Sequence, residues 1–268
     1  MLEQRIRDRL TRKPILLMMH TVLGYPSLEA SMDLMETLAG SGADVLELQI
    51  PFTDPVADGP RIIQANEQAI RNGVTVAGCL ELTGAAARSL SVPIVVMTYY
   101  NVVYRYGVER FAESLDDMGV EGLLIPDLPP EEGERFLHAV KGKGLSPVLT
   151  LSPTTPEERM DRIASLGRGF VYCVARRGVT GCPTRFASET ASYLARCRKA
   201  TGLPLAVGFG VSGREDVAFL EGKAEIAVVG TELLKRLERG GQEGVGAFVR
   251  SLVSPADVLQ PLKNTGTR

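Results

Sequence analysis

The sequence predicts a single (β/α)8 barrel of the α/β class, and two patterns in the 268-residue chain support that prediction. Short apolar runs rich in β-branched residues recur eight times, and stretches with helical spacing separate most of them. Strands that alternate with helices pair in parallel, and eight such units in about 250 residues are typical of this barrel. A doubly wound sheet is the competing fold, but it usually carries G-x-G-x-x-G after its first strand. This chain has Leu23-Gly24-Tyr25-Pro26 there.

The elements follow in order along the chain. Residues 1–13 predict an amphipathic helix, because Leu2, Ile6 and Leu10 share one face, and we expect it to close the bottom of the barrel. The predicted strands are 15–22, 44–50, 92–99, 122–125, 146–151, 169–174, 203–207 and 224–230. Apolar spacing predicts helices at 28–40, 108–118 and 131–143. Residues 254–268 are polar and predict a frayed tail, so that 1–268 form one domain.

Composition excludes several classes of protein. Hydrophobic residues make up 44% of the chain and charged residues 23%, as in a globular protein. The net charge of −2 argues against nucleic-acid binding, and no apolar run approaches the roughly 20 residues of a membrane span. No signal peptide is recognised, so we expect a cytoplasmic protein. The four cysteines form no C-x-x-C pair and only two histidines accompany them, which makes a zinc site improbable.

The active site of such a barrel lies at the carboxyl ends of its strands, and the second predicted strand carries a carboxylate there. Glu47 shares a strand face with Gln49 inside an apolar run. It is either a barrel-interior carboxylate satisfied by hydrogen bonds or a partly desolvated group suited to proton transfer. Asp58 stands before Gly59 and is either a turn residue or a second functional carboxylate. Asp54, before Pro55, is a turn residue in both interpretations.

The last units carry the signal of a phosphate site. Gly208-Phe209-Gly210 ends the seventh strand and Gly230-Thr231 ends the eighth. Glycines let backbone N–H groups approach an anion, and barrels commonly bind phosphate in these two loops. The loop at 176–188 contains Gly178, Thr180 and Gly181. This composition is typical either of a mobile loop that closes over a ligand or of an ordinary surface loop. Tyr99, at the end of the third strand, either lines a flat-ring pocket or packs in the core.

These motifs together resemble the alpha subunit of tryptophan synthase over nearly the whole chain. The most specific is L-E-L-x-x-P-F-T-D-P-x-A-D-G-P at 46–60, and three more occur in the expected order: Ile125-Pro126-Asp127-Leu128-Pro129, Gly178-Val179-Thr180-Gly181 and Gly208-Phe209-Gly210. The resemblance implies a (β/α)8 carbon–carbon lyase that needs no cofactor of its own. Its reaction would be the retro-aldol cleavage of indole-3-glycerol phosphate to indole and glyceraldehyde 3-phosphate, in tryptophan biosynthesis.

The resemblance also implies roles for individual residues. Glu47 would be the general acid/base that protonates C3 of the indole, and Asp58 would interact with the ring N–H. Tyr99 and Tyr172 would line the indole pocket. The phosphate would be held by Gly181, Gly210, Gly230 and Thr231, with Thr180 in the closing loop and Asp127 at the end of the fourth strand, coupled to a partner. That partner would be the beta subunit of an α2β2 complex, which would carry the pyridoxal phosphate.

The chain departs from the family pattern at two positions. Gln49 stands where the family usually has glycine, and His20 stands where it usually has phenylalanine or another apolar pocket residue. These departures are either neutral drift or a local hydrogen-bonded pair, or they mark a reshaped pocket. Two other functions stay open: a different phosphate-binding barrel enzyme, such as a relative of indole-3-glycerol phosphate synthase, or a non-catalytic activator of a beta subunit. A relative of indole-3-glycerol phosphate synthase would be expected to have a catalytic lysine on a barrel strand, and no predicted strand contains a lysine.

Overall fold

The computed structural model describes residues 2–174, 188–208 and 210–253 and contains a closed barrel of eight parallel strands. The strands are β1 Leu16–Val22, β2 Val45–Gln49, β3 Ile94–Met97, β4 Gly122–Leu124, β5 Ser146–Leu151, β6 Val171–Val174, β7 Leu205–Gly208 and β8 Ile226–Val229. Each pairs with the next in the chain, and β8 pairs with β1. The (β/α)8 prediction is confirmed, and every predicted strand ends within two residues of an observed one.

Helices surround the barrel in the described part of the chain. They are α1 Leu2–Leu10, α2 Leu28–Gly40, α3 Pro60–Arg71, α4 Val76–Ser89, α5 Tyr100–Tyr106, α6 Val108–Asp117, α7 Glu134–Gly142, α8 Glu157–Leu166, α9 Ser188–Ala200, α10 Arg214–Leu220 and α11 Thr231–Leu252. The backbone of α11 leaves the helical region at Gly241, where φ is 58°. The three helices predicted from apolar spacing correspond to α2, α6 and α7, and that at 28–40 has the observed bounds.

The strands bury both of their faces, because helices cover the outside of the barrel. On β1, Leu17 and Met19 pack in the layer between strands and helices, whereas Leu16 and Met18 belong to a separate cluster inside the barrel. The same alternation on β2 sends Leu46 and Leu48 outward and the intervening residues inward. The barrel interior therefore receives the polar side chains of this strand.

Helix α1 closes the lower end of the barrel, as the sequence predicts. Leu2 and Ile6 are buried in the same cluster as the inward-facing strand residues. Glycines make room for this plug: a Cβ atom at Gly122 or at Gly169 would lie 2.9 or 2.8 Å from Leu2 Cδ2. The bottom of the barrel is thus filled by apolar side chains, and its opposite, carboxyl end is left for a site.

Among the described residues, no helix is long and apolar enough to cross a membrane, and no group of three potential metal ligands is present. Cys79, Cys173 and Cys197 are buried free thiols. The predicted polar tail at 254–268 lies outside the described residues.

Candidate active site

Glu47 lies inside the barrel on β2, with 1% of its surface exposed. The parallel register places it beside His20 on β1, and His20 Nδ1 lies 2.8 Å from Glu47 Oε2. An unpaired buried charge is strongly destabilising, so a carboxylate in this position needs such a partner.

Asp58 is the second buried carboxylate and follows the loop that leaves β2. Its Oδ2 accepts hydrogen bonds from Gln49 Nε2 at 2.7 Å and from the Tyr99 hydroxyl at 3.0 Å. The Tyr99 hydroxyl in turn accepts from the backbone N–H of Ala57 at 3.1 Å. Gln49 projects inward two residues after Glu47, so one strand supports both carboxylates.

The loop between β2 and α3 is fastened at two further points that the sequence analysis did not identify. Asn66 Oδ1 accepts from the backbone N–H of Phe52 at 3.0 Å, while Asn66 Nδ2 donates to the carbonyl of Ile62 at 2.8 Å. Phe52 stacks on Tyr99, with 5.3 Å between ring centroids. A fully buried asparagine on an otherwise apolar face of α3 is the sequence signal that could have revealed this role.

Burial and neighbouring charges set the protonation of these groups. Burial lowers the pKa of His20, but the adjacent Glu47 carboxylate, with Asp58 and the Gln49 amide, outweighs burial and raises that pKa above its ordinary value. Burial raises the pKa of Asp58 against the opposing influence of His20, Gln49 and Tyr99. Burial also raises the pKa of Tyr99, and Asp58 adds to it, so its hydroxyl stays protonated and donates.

Tyr172 reaches the site from β6, on the far side of the barrel. A Cβ atom at Gly208, on the neighbouring strand β7, would lie 2.2 Å from the Tyr172 hydroxyl, so only glycine leaves room for this ring. Burial raises the pKa of Tyr172, and the charges of Glu47 and Asp58 raise it further. The neutral phenol therefore faces the same interior space as both carboxylates.

The predicted phosphate loops lie after β7 and β8. Gly210 is exposed, with a φ of 105° that favours glycine. Gly230 immediately precedes α11, whose first residue is the half-buried Thr231. A Cβ atom at Gly230 would lie 3.3 Å from His20 Cδ2, so the start of α11 adjoins the His20 ring. Thr180 and Gly181, with most of the predicted loop at 176–188, lie outside the described residues.

Comparison with known proteins identifies the family. The family model for the tryptophan synthase alpha chain matches residues 6–258. The tryptophan synthase alpha chain of Desulforapulum autotrophicum is 53% identical over 252 residues, which cover 94% of this chain and 100% of that relative. The corresponding protein of Syntrophotalea carbinolica is 48% identical, with the same coverage.

The chain belongs to the tryptophan synthase alpha chain family. The fold agrees with solved structures. A tryptophan synthase from Mycobacterium tuberculosis matches with a TM-score of 0.88 and 33% identity, covering 94% of this chain and 96% of that one. The tryptophan synthase α2β2 complex of Pyrococcus furiosus matches with a TM-score of 0.83 and 33% identity, covering 90% and 98%.

Membership in the tryptophan synthase alpha chain family confirms the predicted activity: the chain is a lyase of tryptophan biosynthesis that cleaves indole-3-glycerol phosphate. The structure brings six of the predicted site residues together inside the barrel or at its rim: His20, Glu47, Asp58, Tyr99, Tyr172 and Gly230. Asp127 Oδ1 accepts from the backbone N–H of Tyr100 at 2.9 Å, which ties the end of β4 to the start of α5.

Proposed function

We propose that Glu47 and Asp58 divide the cleavage of indole-3-glycerol phosphate between them. The observation that supports this division is the difference between their partners. Glu47 pairs with an imidazole, which exchanges protons near neutral pH, whereas Asp58 accepts from an amide and a phenol that do not. A carboxyl group with a titratable partner suits proton transfer, and one held by fixed donors suits stabilisation of a developing positive charge.

In the proposed reaction Glu47 delivers a proton to C3 of the indole. The positive charge that results on the ring nitrogen is stabilised by Asp58, to which the ring N–H donates. When the bond between C3 and the glycerol side chain breaks, its electron pair returns to the ring. The side-chain hydroxyl becomes the aldehyde of glyceraldehyde 3-phosphate, and its proton returns to Glu47. The protein therefore ends each cycle in its starting protonation state.

The remaining predicted residues position the substrate in this proposal. Tyr99 and Tyr172 lie on opposite sides of the barrel interior and offer aromatic surface to the indole. The start of α11, at Gly230 and Thr231, offers backbone N–H groups to the phosphate, since a helix N-terminus favours an anion. Gly210, together with Gly181 and Thr180 outside the described residues, completes the proposed phosphate site and its closing loop.

We further propose that the chain works with a beta subunit as an α2β2 complex in the cytoplasm, with pyridoxal phosphate held by the beta subunit. The similar Pyrococcus furiosus structure is such a complex. Within the described ranges, two large apolar side chains are exposed: Val56, in the loop after β2, at 74%, and Tyr104, on α5, at 63%. Both segments follow carboxyl ends of strands, where a partner that receives indole would bind.

Release of indole from indole-3-glycerol phosphate, measured with and without a beta subunit, tests these roles. We expect Glu47→Gln to lower the rate by about 100-fold or more, since positioned acid/base groups contribute at least that much. We expect Asp58→Asn to lower it by about 100-fold, as for other groups that stabilise transition-state charge. Asp54→Asn, assayed without the beta subunit, is the matched control, because Asp54 is an exposed carboxylate in the same loop.

A rate that survives Glu47→Gln would contradict the proton-transfer role. If the wild-type protein binds the substrate and stimulates the beta subunit but releases no indole in either mixture, it is a binding activator and not the proposed enzyme.

A further inference from the structure

We propose that His20 and Glu47 act as one proton-holding pair, and that Gln49 is the positioning residue that joins this pair to Asp58. The inference rests on the proposed roles of the two carboxylates and assigns to the reaction the two positions at which the chain departs from its family. Its basis is two buried, unpartnered atoms, one on His20 and one on Gln49, that match as donor and acceptor only when the His20–Glu47 pair holds a proton.

The side chains concerned form two buried hydrogen-bonded groups that face each other. His20 and Glu47 are joined at 2.8 Å, and Gln49 and Asp58 at 2.7 Å. All four residues are buried, with exposures of 7% for His20 and Asp58, 1% for Glu47 and 0% for Gln49. Water therefore does not readily substitute for a missing partner in this space.

Two atoms in these groups have no hydrogen-bond partner of normal geometry in the described structure. They are His20 Nε2 and Gln49 Oε1, both buried. The Gln49 amide nevertheless lies close enough to the ring to stabilise its protonated form. In this proposal the two atoms pair with each other, which requires that one of them is a donor.

The orientation of Gln49 decides which atom must donate. Its Nε2 is directed to Asp58 Oδ2 at 2.7 Å and towards Asn66 Oδ1 at 3.4 Å, both of which are acceptors. Its Oε1 is then fixed as an acceptor. A neutral His20 that donates from Nδ1 to Glu47 has only a lone pair on Nε2, which does not match Oε1. A protonated His20 donates from both nitrogens, and a neutral Nε2–H imidazole accepts at Nδ1 from a protonated Glu47. The network therefore closes when His20 and Glu47 hold one such proton between them.

The charges around His20 favour that state. Glu47 faces the ring from β2 and Asp58 faces it from the following loop, and both raise its pKa against the effect of burial. Tyr172 faces the two carboxylates from β6 as a neutral phenol, and β8 contributes the uncharged Gly230. The pair consequently keeps its proton to a higher pH than an isolated imidazole would, and loses it as the pH rises through the raised pKa of His20.

This arrangement supplies the proton that C3 of the indole takes up and recovers one from the side-chain hydroxyl. The proton passes from His20 Nδ1 to Glu47 and from Glu47 to C3 of the indole. After the carbon–carbon bond breaks, the hydroxyl proton of the side chain returns to Glu47 and then to His20. Proton transfer over a short, preformed hydrogen bond needs no water, which suits a site that excludes it.

Nuclear magnetic resonance of protein with 15N-labelled histidine tests the pair directly, because the chain has only two histidines. His138 is exposed on α7 and serves as the internal reference, assigned by its loss in His138→Gln. We expect His20 to titrate above the ordinary midpoint of about 6.5. In Glu47→Gln the midpoint of His20 should fall by about one pH unit or more, because burial lowers the pKa of His20 and the Glu47 charge no longer opposes it. Gln49→Met, close to glutamine in size, should lower it by a smaller amount.

An unchanged His20 midpoint in Glu47→Gln, or a wild-type imidazole that at pH 6 is neutral with its hydrogen on Nδ1, would overturn the pair. An unchanged midpoint in Gln49→Met would remove Gln49 from it. These measurements need no substrate, so they stand or fall separately from the proposed lyase roles.

The pH dependence of indole release supplies the functional readout, with the beta subunit present. In the wild-type protein the rate should fall as the pH rises through the His20 midpoint. His20→Gln keeps a donor for Glu47 but does not titrate, so this fall should move away from that midpoint, and the variant should retain more activity than His20→Phe. Identical pH profiles for wild type and His20→Gln would refute the assignment while leaving the lyase function intact.

Discussion

The Tyr99 hydroxyl makes the sharpest prediction about stability, since one atom supports both Asp58 and the backbone of the loop before it. Tyr99→Phe removes the hydroxyl and keeps the ring that stacks on Phe52 at 5.3 Å. Apolar burial changes little, because the side chain is fully buried and the ring is unaltered. The change in free energy of unfolding therefore reports the hydrogen bonds alone.

Those bonds set the magnitude. The hydroxyl donates to Asp58 Oδ2 at 3.0 Å and accepts from the N–H of Ala57 at 3.1 Å. A hydrogen bond to a charged group contributes about 1.5–3 kcal/mol, and a buried donor left without a partner costs about 1–3 kcal/mol. Ala57 is only partly buried, so its N–H can bond to water, and the cost of leaving that donor without the Tyr99 hydroxyl is reduced. We expect Tyr99→Phe to lower the free energy of unfolding by about 2–4 kcal/mol.

Urea unfolding of Tyr99→Phe, Asp58→Asn and the double variant at neutral pH measures this effect and its origin. The cycle should give a coupling between Tyr99 and Asp58 of about 1–3 kcal/mol. Tyr104→Phe is the control, because Tyr104 is 63% exposed. If Tyr99→Phe is no less stable than Tyr104→Phe, or if the two site substitutions are additive within about 0.5 kcal/mol, the hydroxyl does not support Asp58.

Two further substitutions test the plug and the substrate pocket. Leu2→Ala should lower the free energy of unfolding by about 2–4 kcal/mol in urea titrations, because Leu2 is 1% exposed inside the barrel bottom; Leu82→Ala, at a partly buried leucine outside that cluster, should cost less. Gly208→Ala places a Cβ atom 2.2 Å from the Tyr172 hydroxyl, so it should displace the ring and raise the KM for indole-3-glycerol phosphate in the indole-release assay. Gly202→Ala is the control and should raise the KM less, because a Cβ atom at Gly202 meets nothing within 4 Å.

The sequence predicts the barrel well because each strand and helix of the barrel has its own local pattern of apolar residues. Each strand is a short apolar run, and alternation along a strand decides which side chains point inward, so the position of Glu47 follows from its neighbours Leu46 and Leu48. The plug likewise follows from the spacing of Leu2 and Ile6. These features depend on residues that are close together in the sequence.

The contacts of the site depend on residues that are far apart, and the sequence pattern does not determine them. The His20–Glu47 bond requires the register between β1 and β2, and the bond from Tyr99 to Asp58 joins residues separated by 41 positions. The contact of Asn66 is not evident from the sequence for the same reason, because its partner Phe52 lies in a loop with no periodic pattern. Sequence reasoning selected two carboxylates that the structure buries in one site, but it could not supply their partners.

The two departures from the family pattern are most simply understood as one physical change. With phenylalanine at position 20, Gln49 Oε1 would face an apolar ring and remain a buried acceptor without a donor. With glycine at position 49, His20 Nε2 would have no acceptor for its proton, and Asp58 would lose a donor that now lies at 2.7 Å. In the proposed pairing His20 Nε2 and Gln49 Oε1 satisfy each other, so that either residue alone would leave a buried polar atom unpaired at a cost of about 1–3 kcal/mol. The His20 midpoint in Gln49→Met therefore decides between a coupled pair and neutral drift, because only a coupled pair predicts that the midpoint falls.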